Sequence, residues 1–397
     1  MQEVCIQCRG RGFCGHACKI LAKLKQYQPK VKLEFSGSSP PEVFVGHYNY
    51  PNVYTGVLSP AEFGNTEEFS YPELWHEQNK DLLEILNLRS RMIYSRFTSN
   101  IKKSNMLKER MQELALASKA TDVDFMLARK PSMKLELHRH VAMIGSPAPV
   151  KSIKVESNIK VEKKIDYLAN DTDAKAADSI LELHDSGIQV SNVIKLLTAG
   201  LLGLKIQRKL VPTRWAVTAT DSIISKALLR NIRNYSQLQE YRLFHANYLG
   251  NYYEILMIPG CWSYEVMEVA DKGYYGSQNV ATWQDYEFFK ERKTYPSSVI
   301  GAYYATRLAV TEYLERIRKQ ATVLVFREIR PEYWAPCGVG ILRETVREAL
   351  SKRPEVFDNL EAAMISMQGR LKLGIEHFVS SSKLIKERKT QRSLFDF

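Results

Sequence analysis

Four of the six cysteines in this 397-residue chain stand at Cys5, Cys8, Cys14 and Cys18, near its amino terminus. In the spacing C-x2-C-x5-C-x3-C the first pair can chelate from one tight turn, and the second pair lies one helical turn apart on one face. Four thiolates in a tetrahedron suit zinc, with an iron–sulfur cluster or unliganded thiols as the alternatives, and His16 offers an alternative ligand. A site closed by protein donors would hold structure rather than catalyse. A segment this short has too little core to be ordered without such a metal.

Asp171, Asp173 and Asp178 form the densest acidic group. Asp171 and Asp178 could share a helical face, as carboxylates holding Mg²⁺ at a phosphoryl-transfer site would, and helix capping with surface charge accounts for them equally well. His138 and His140 alternate onto one face of an expected strand, where they could be ligands or catalytic bases. Cys261 has no identifiable partner and reads as structural. No P-loop, dinucleotide fingerprint or zinc-protease motif occurs, and whether the chain is an enzyme stays open at this level.

A net charge of +12 and a pI near 9.2 favour an anionic partner, nucleic acid ahead of a membrane surface. Candidate phosphate contacts are Lys23 on the lysine face of a short helix after Cys18, Arg208 and Arg214 in the stretch Gln207–Asp221, and Arg330 beside Glu328 and Glu332. The longest basic zone runs from Arg89 to Arg110. His47–Gly56, rich in tyrosine and punctuated by Pro51, could offer rings to unstacked bases or form a rigid loop packed on the body.

The elements that must position these residues alternate between short-period and helical patterns, which implies an α+β fold. Residues 1–35 form a zinc-binding module, 36–379 a mixed body whose two subdomains would meet near 205–235, and 380–397 a tether with a terminal peptide. Ser36–Pro41 reads as a flexible linker, Val43–Gly46 as a strand, and Trp75–Arg91 and Met106–Ala120 as helical. Sheet over Leu135–Gly145 should break at Ser146–Pro149 and resume at Ile153–Val155. Pro212 fixes a turn, after which Trp215, Val217 and Ala219 point inward from a short strand and Asp221 caps a helix. Tyr241–Ala246, Tyr252–Ile258 and Ala321–Arg327 read as strands, Ala302–Lys319 as a helix, Ile341–Phe378 as helical with a break at Arg353–Pro354, and Ser380–Thr390 as a polar tether. No apolar run approaches the roughly 18 residues that span a bilayer, and the amino terminus lacks the apolar core of a signal peptide, so a cytoplasmic protein without membrane contact is expected.

Gln391, Leu394 and Phe397 place an amide and two apolar anchors along one short turn. This resembles the peptide by which replication and repair proteins dock onto the sliding clamp PCNA, although the second aromatic that usually ends the motif is absent. A tail tucked onto its own domain is the alternative. With the cysteine cluster, Gly46–Gly56, His138–Pro149, Asp171–Leu183, Val211–Asp221 and Arg330–Gly340, the tail makes the chain resemble the archaeal Nre family of DNA repair proteins over essentially its whole length. The resemblance implies an archaeal cytosolic protein with a zinc finger, a PCNA partner and a role in resisting DNA damage, and it assigns no reaction. The expectation is a repair factor whose zinc module and basic body bind DNA while the tail recruits it to the clamp. The alternatives are a metal-dependent nuclease or other DNA-processing enzyme, and a clamp-tethered scaffold without DNA chemistry.

Overall fold

A computed structural model of the chain describes residues 15, 17–132, 141–271 and 279–390. Cys5, Cys8, Cys14 and His16 of the cysteine cluster, His138 and His140, and the tail residues Gln391, Leu394 and Phe397 lie outside the described residues. The structure is α+β, as the alternating patterns imply, and divides into two compact units. Among the described residues, one is drawn from those up to Ile224 with Ala335–Gly338, the other from those between Ser225 and Trp334 and between Val339 and Thr390.

The N-terminal unit runs α1 (Lys19–Lys25), β1 (Glu34–Ser39), β2 (Glu42–Val45), β3 (Asn52–Pro60), α2 (Pro72–Glu77), α3 (Leu82–Ser90), β4 (Met92–Asn100), α4 (Met106–Leu116), β5 (Thr121–Leu127), β6 (Ser146–Val155), α5 (Lys163–Asn170), α6 (Ala176–Asp185), α7 (Val190–Thr198) and the start of α8 (Thr213–Ile232). Its six strands are ordered β1-β5-β6-β4-β3-β2, with β4 and β6 parallel and the other neighbours antiparallel. Val53, Val57, Phe97, Val123 and Phe125 bury one face against Met111 and Leu114 of α4. Helix α3 starts at a capping box, Asp81 accepting from Glu84 N at 2.8 Å while the Glu84 carboxylate accepts from Asp81 N at 2.6 Å.

Three local expectations fail here for identifiable reasons. Ser36–Pro41 is not a linker, because Ser36–Ser39 belong to β1, where a Cβ on Gly37 would collide with the Pro60 carbonyl. Close approach of two backbones, not flexibility, requires that glycine. Ser146–Pro149 does not break the sheet either, since Pro147 and Pro149 turn the same edge of β6. Their carbonyls accept from Ser132 N at 2.9 Å and Ala128 N at 2.7 Å, while Ser146 and Ala148 face the pairing with β4. Finally, Thr213–Ile232 is one continuous helix with no strand at its start. Ala216, Thr220, Asp221 and Ile224 are all buried at helical spacing, so packing of one face overrides the β preference of Val217 and Thr218. Asp221 therefore stands inside the helix rather than at its cap.

The C-terminal unit continues with β7 (Tyr241–Tyr248), β8 (Asn251–Ile258), β9 (Ser263–Ala270), β10 (Ala281–Glu287), α9 (Ile300–Ile317), β11 (Thr322–Ile329), α10 (Gly340–Ser351), β12 (Glu355–Phe357), α11 (Leu360–Gln368), α12 (Glu376–Val379) and α13 (Lys383–Thr390). Its strands are ordered β10-β9-β11-β8-β7-β12, with β11 parallel to β9 and antiparallel to β8. Leu249 and Gly250, both at positive φ (51° and 78°), make the two-residue turn joining β7 to β8. Leu256, Met267, Leu324 and Phe326 pack against Met367, Phe378, Leu384 and Ile385.

The last of these contacts corrects the tether expected at Ser380–Thr390. Glu265, buried in β9, accepts from Ser382 Oγ at 2.5 Å, Lys383 N at 2.8 Å and Leu384 N at 3.2 Å, and so caps α13 from inside the sheet. Burial pushes its carboxyl above the usual range, against those hydrogen bonds. Among the described residues no helix is long and apolar enough to cross a membrane.

Candidate nucleic-acid interface

Residues 43–61, 92–108 and 199–220 contain no aspartate or glutamate, and the N-terminal unit lays parts of all three side by side. Ile101 N donates to Pro51 O at 3.0 Å and Leu210 N to Ile101 O at 3.0 Å, which aligns the turn after β2 with the turn after β4 and the segment before α8. Val45 N donates to Thr213 Oγ1 at 2.9 Å, and Arg214 Nη1 lies 3.3 Å from His47 Nε2. A guanidinium only donates, so the imidazole nitrogen accepts there.

Cations and rings share the resulting surface. Lys102, Lys103 and Lys209 are exposed, and Arg214 is half-buried at its edge. Tyr48 is 74% exposed, Tyr50 41%, Tyr54 47% and Trp215 45%. The Tyr50 and Trp215 rings lie 5.6 Å apart, and those of His47 and Tyr48 4.2 Å apart. On the outward face of β3 and β4, Arg96 sits with its guanidinium carbon 4.5 Å over the Tyr54 ring.

Local bonds fix the turn that presents the lysines. Asn100 Oδ1 accepts from Lys102 N at 3.0 Å and Lys103 N at 3.4 Å, while its amide donates to Asn52 Oδ1 at 3.0 Å. From beneath, Lys108 Nζ donates to Ile101 O at 3.0 Å and Lys103 O at 3.2 Å, and burial lowers its pKa. Lys108 thus holds the turn and is not itself a phosphate contact.

Two of the other cationic candidates are engaged within the fold. Arg208 donates to Gly203 O at 2.8 Å, Ala169 O at 2.6 Å and Asp171 O at 2.6 Å, and its pKa is lowered by desolvation. It clamps three backbone carbonyls, which corrects the expectation that it meets an external anion. Arg330, in the C-terminal unit, is buried, pairs with Glu328, donates to Arg370 O at 2.7 Å and lies 3.3 Å from the Tyr252 ring centroid. Glu328 itself accepts from Lys372 N at 2.7 Å and Leu373 N at 2.9 Å, so this pair fastens the strap after α11. Within the basic zone Arg89 is buried against Glu42, whereas Lys23 is exposed on α1.

The acidic group does not assemble as a metal site. Asp171 Oδ1 accepts from Asp173 N at 2.9 Å and Ala174 N at 3.1 Å, which makes it a turn former after α5, while Asp173 and Asp178 are exposed. Among the described residues no three of His, Cys, Asp and Glu are grouped so as to hold a metal ion. Cys18 is half-buried just before α1.

Part of this surface is absent from the sequence argument. Trp215, expected to point inward, is exposed because the helix turns it away from the Ala216 face, and Lys209 gains its neighbours only through the Ile101–Leu210 bond. The usable signal was the lack of acids in three separated segments rather than any one basic run.

Fold and surface together define a two-unit α+β protein with a basic and aromatic face built from segments that carry no acid, bordered by Glu109, which accepts from Ser104 Oγ at 2.7 Å. Residues 13–275 match the family described as Archaeal Nre, N-terminal, and residues 287–397 match Archaeal Nre, C-terminal. The chain belongs to the archaeal Nre family. It is similar to the DNA repair protein NreB of Archaeoglobus fulgidus, 36% identical over 396 residues that cover 99% of each chain. It is also similar to the DNA repair protein NreA of that organism, at 34% over 373 residues, 92% of this chain and 93% of the other. With the DNA repair protein NreA of Haloferax volcanii the identity is 29% over 350 residues, 83% of this chain and 82% of the other. No solved structure matches the chain at a significant level.

Proposed function

We propose that this protein is a DNA repair factor that binds DNA through the Lys102–Lys103–Lys209–Arg214 surface and is recruited to the PCNA sliding clamp by Gln391, Leu394 and Phe397. The observation that carries DNA binding is the convergence of three acid-free segments on one face of the N-terminal unit, with lysines turned to solvent. Exposed lysines on segments that carry no carboxylate suit a phosphate backbone, whose binding releases condensed counterions. The repair role draws on the relatives named as DNA repair proteins.

Cys5, Cys8, Cys14 and Cys18 would hold one structural zinc, as four thiolates in a short segment suit that ion and leave no open position for catalysis. Elemental analysis should find about one zinc per chain, lost on replacing Cys5 and Cys8.

DNA binding is tested by the affinity of a short duplex across a salt series. The logarithm of the binding constant should fall linearly with the logarithm of salt, by about 0.9 per phosphate contacted. Undetectable binding at low salt would overturn the proposal. Deleting residues 391–397 should abolish clamp binding with DNA affinity intact, and unchanged clamp affinity would remove the tail assignment.

A further inference from the structure

An aromatic ring left partly in water adds less to stability than a buried one, yet Tyr48, Tyr50, Tyr54 and Trp215 are all substantially exposed. They lie on the same face as the lysines, and the turns that carry them are already fixed. Asn52 N donates to Asn49 O at 2.8 Å, closing the Tyr48–Pro51 turn, and Asn100 and Lys108 hold the Lys102–Lys103 turn from two sides. A surface ordered in advance loses little entropy on binding.

Duplex DNA offers this arrangement only its phosphates, because its base faces are already stacked on one another. An unpaired strand offers both phosphates and free base faces, and aromatic side chains beside a basic track bind such strands with little regard to sequence. We infer that the surface takes unpaired DNA, with bases stacked on Tyr48, Tyr50 and Trp215 and the backbone running along Lys102, Lys103 and Lys209. This rests on the DNA binding proposed above and adds the strand state that is selected. The spacing supports it, since Tyr50 and Trp215 are 5.6 Å apart and tilted by 53°, too close and too inclined to enclose a base between them. Each therefore offers an outer face, which suits successive bases of one strand. Tyr54 beneath Arg96, with Asn52, Thr98 and Asn100 on the same strand face, would extend the platform with a further ring and hydrogen-bonding groups.

The test compares a 20-nucleotide thymidine oligomer with a 20-base-pair duplex on the full chain by fluorescence anisotropy. The single strand should bind at least tenfold tighter. Tyr50→Ala and Trp215→Ala should each weaken single-strand binding by roughly 5- to 100-fold, as loss of one stacked base predicts, with duplex affinity changed less than twofold. Tyr50→Phe and Trp215→Phe, which keep a ring, should restore most of the loss, and unchanged circular dichroism and melting temperature exclude a folding defect. Equal affinity for both DNAs, or alanine variants that bind the oligomer like the parent, would overturn the stacking inference while leaving DNA binding in place. Failure of either DNA to bind at low salt would overturn both.

Discussion

The C-terminal unit and the basic face of the N-terminal unit use their arginines in opposite ways. In the C-terminal unit Arg307 is fully buried against Glu287, with Nε to Oε1 at 2.9 Å and Nη2 to Oε2 at 3.1 Å, and Nη1 donates to Ser225 Oγ at 2.9 Å. Arg327 pairs with Glu268, Arg330 with Glu328, and Arg370 makes a forked pair with Glu254 at 2.6 and 2.9 Å. Desolvation raises the Glu254 carboxyl to about 7 in spite of that partner. On the basic face of the N-terminal unit the lysines meet solvent, and the Arg96 guanidinium lies over a ring. A net charge of +12 therefore does not describe one surface. In the C-terminal unit guanidinium groups neutralise buried carboxylates and hold straps to the sheet, whereas on the basic face of the N-terminal unit the lysines stay exposed.

Substitutions can break this contrast, and the largest effect belongs to the buried pair. Arg307→Ala would leave the Glu287 charge without its guanidinium in the interior and should cost about 3–5 kcal/mol of unfolding free energy, read by denaturant titration. A loss below about 1 kcal/mol would mean that water reaches the pair. Next comes Glu265→Ala, which strands the Ser382 hydroxyl and two backbone N–H groups. It should cost about 1–3 kcal/mol and speed proteolytic cutting near Ser382, and an unchanged cleavage rate would show that apolar contacts alone dock α13.

Lys195 is a buried cation of the N-terminal unit whose Nζ donates to a backbone carbonyl, Ala117 O, at 2.9 Å. Burial lowers its pKa from 10.5 to about 7, with Glu162 opposing the shift. The folded form then binds fewer protons than the unfolded chain between these two values. Stability from this group is thus present above pH 10.5 and is lost as pH falls through about 7. Lys195→Met should remove this dependence, flattening the stability profile over that window by up to about 1.4 kcal/mol per pH unit. Profiles of equal slope in parent and variant would show that the ammonium remains hydrated.

The smallest effect on stability is expected on the proposed binding face. Replacing Lys102, Lys103 and Lys209 together by Gln should move the unfolding free energy by no more than about 0.5 kcal/mol. The same variant should reduce the salt slope of duplex binding by about 2–3. A large stability loss would erase the contrast between the units.

Several elements were legible without the structure because their residues report local burial directly. The helix expected at Ala302–Lys319 is α9, and the strand expected at Tyr252–Ile258 lies in β8. The failures share a cause. Pro147 and Pro149 read as breakers until their carbonyls find Ser132 and Ala128, and Ser380–Thr390 reads as a tether until Glu265 caps it. Each depends on a partner that proximity in sequence cannot reveal.

By itself, then, the sequence determined the α+β class, the main helices and strands, membership of the family through motifs along its length, and a chemical expectation for its two ends. Tertiary structure decided which cations are engaged and which face water. Periodicity records whether a side chain is buried, but a charge is satisfied by whatever the fold brings beside it. Arg370 finds Glu254 across 116 residues, while Lys102 and Lys209 stay exposed on segments that carry no acid of their own. The stretch Gln207–Asp221 shows the same limit, since its β-branched residues favoured a strand and the packing of Ala216, Thr220 and Ile224 made it a helix that turns Trp215 outward.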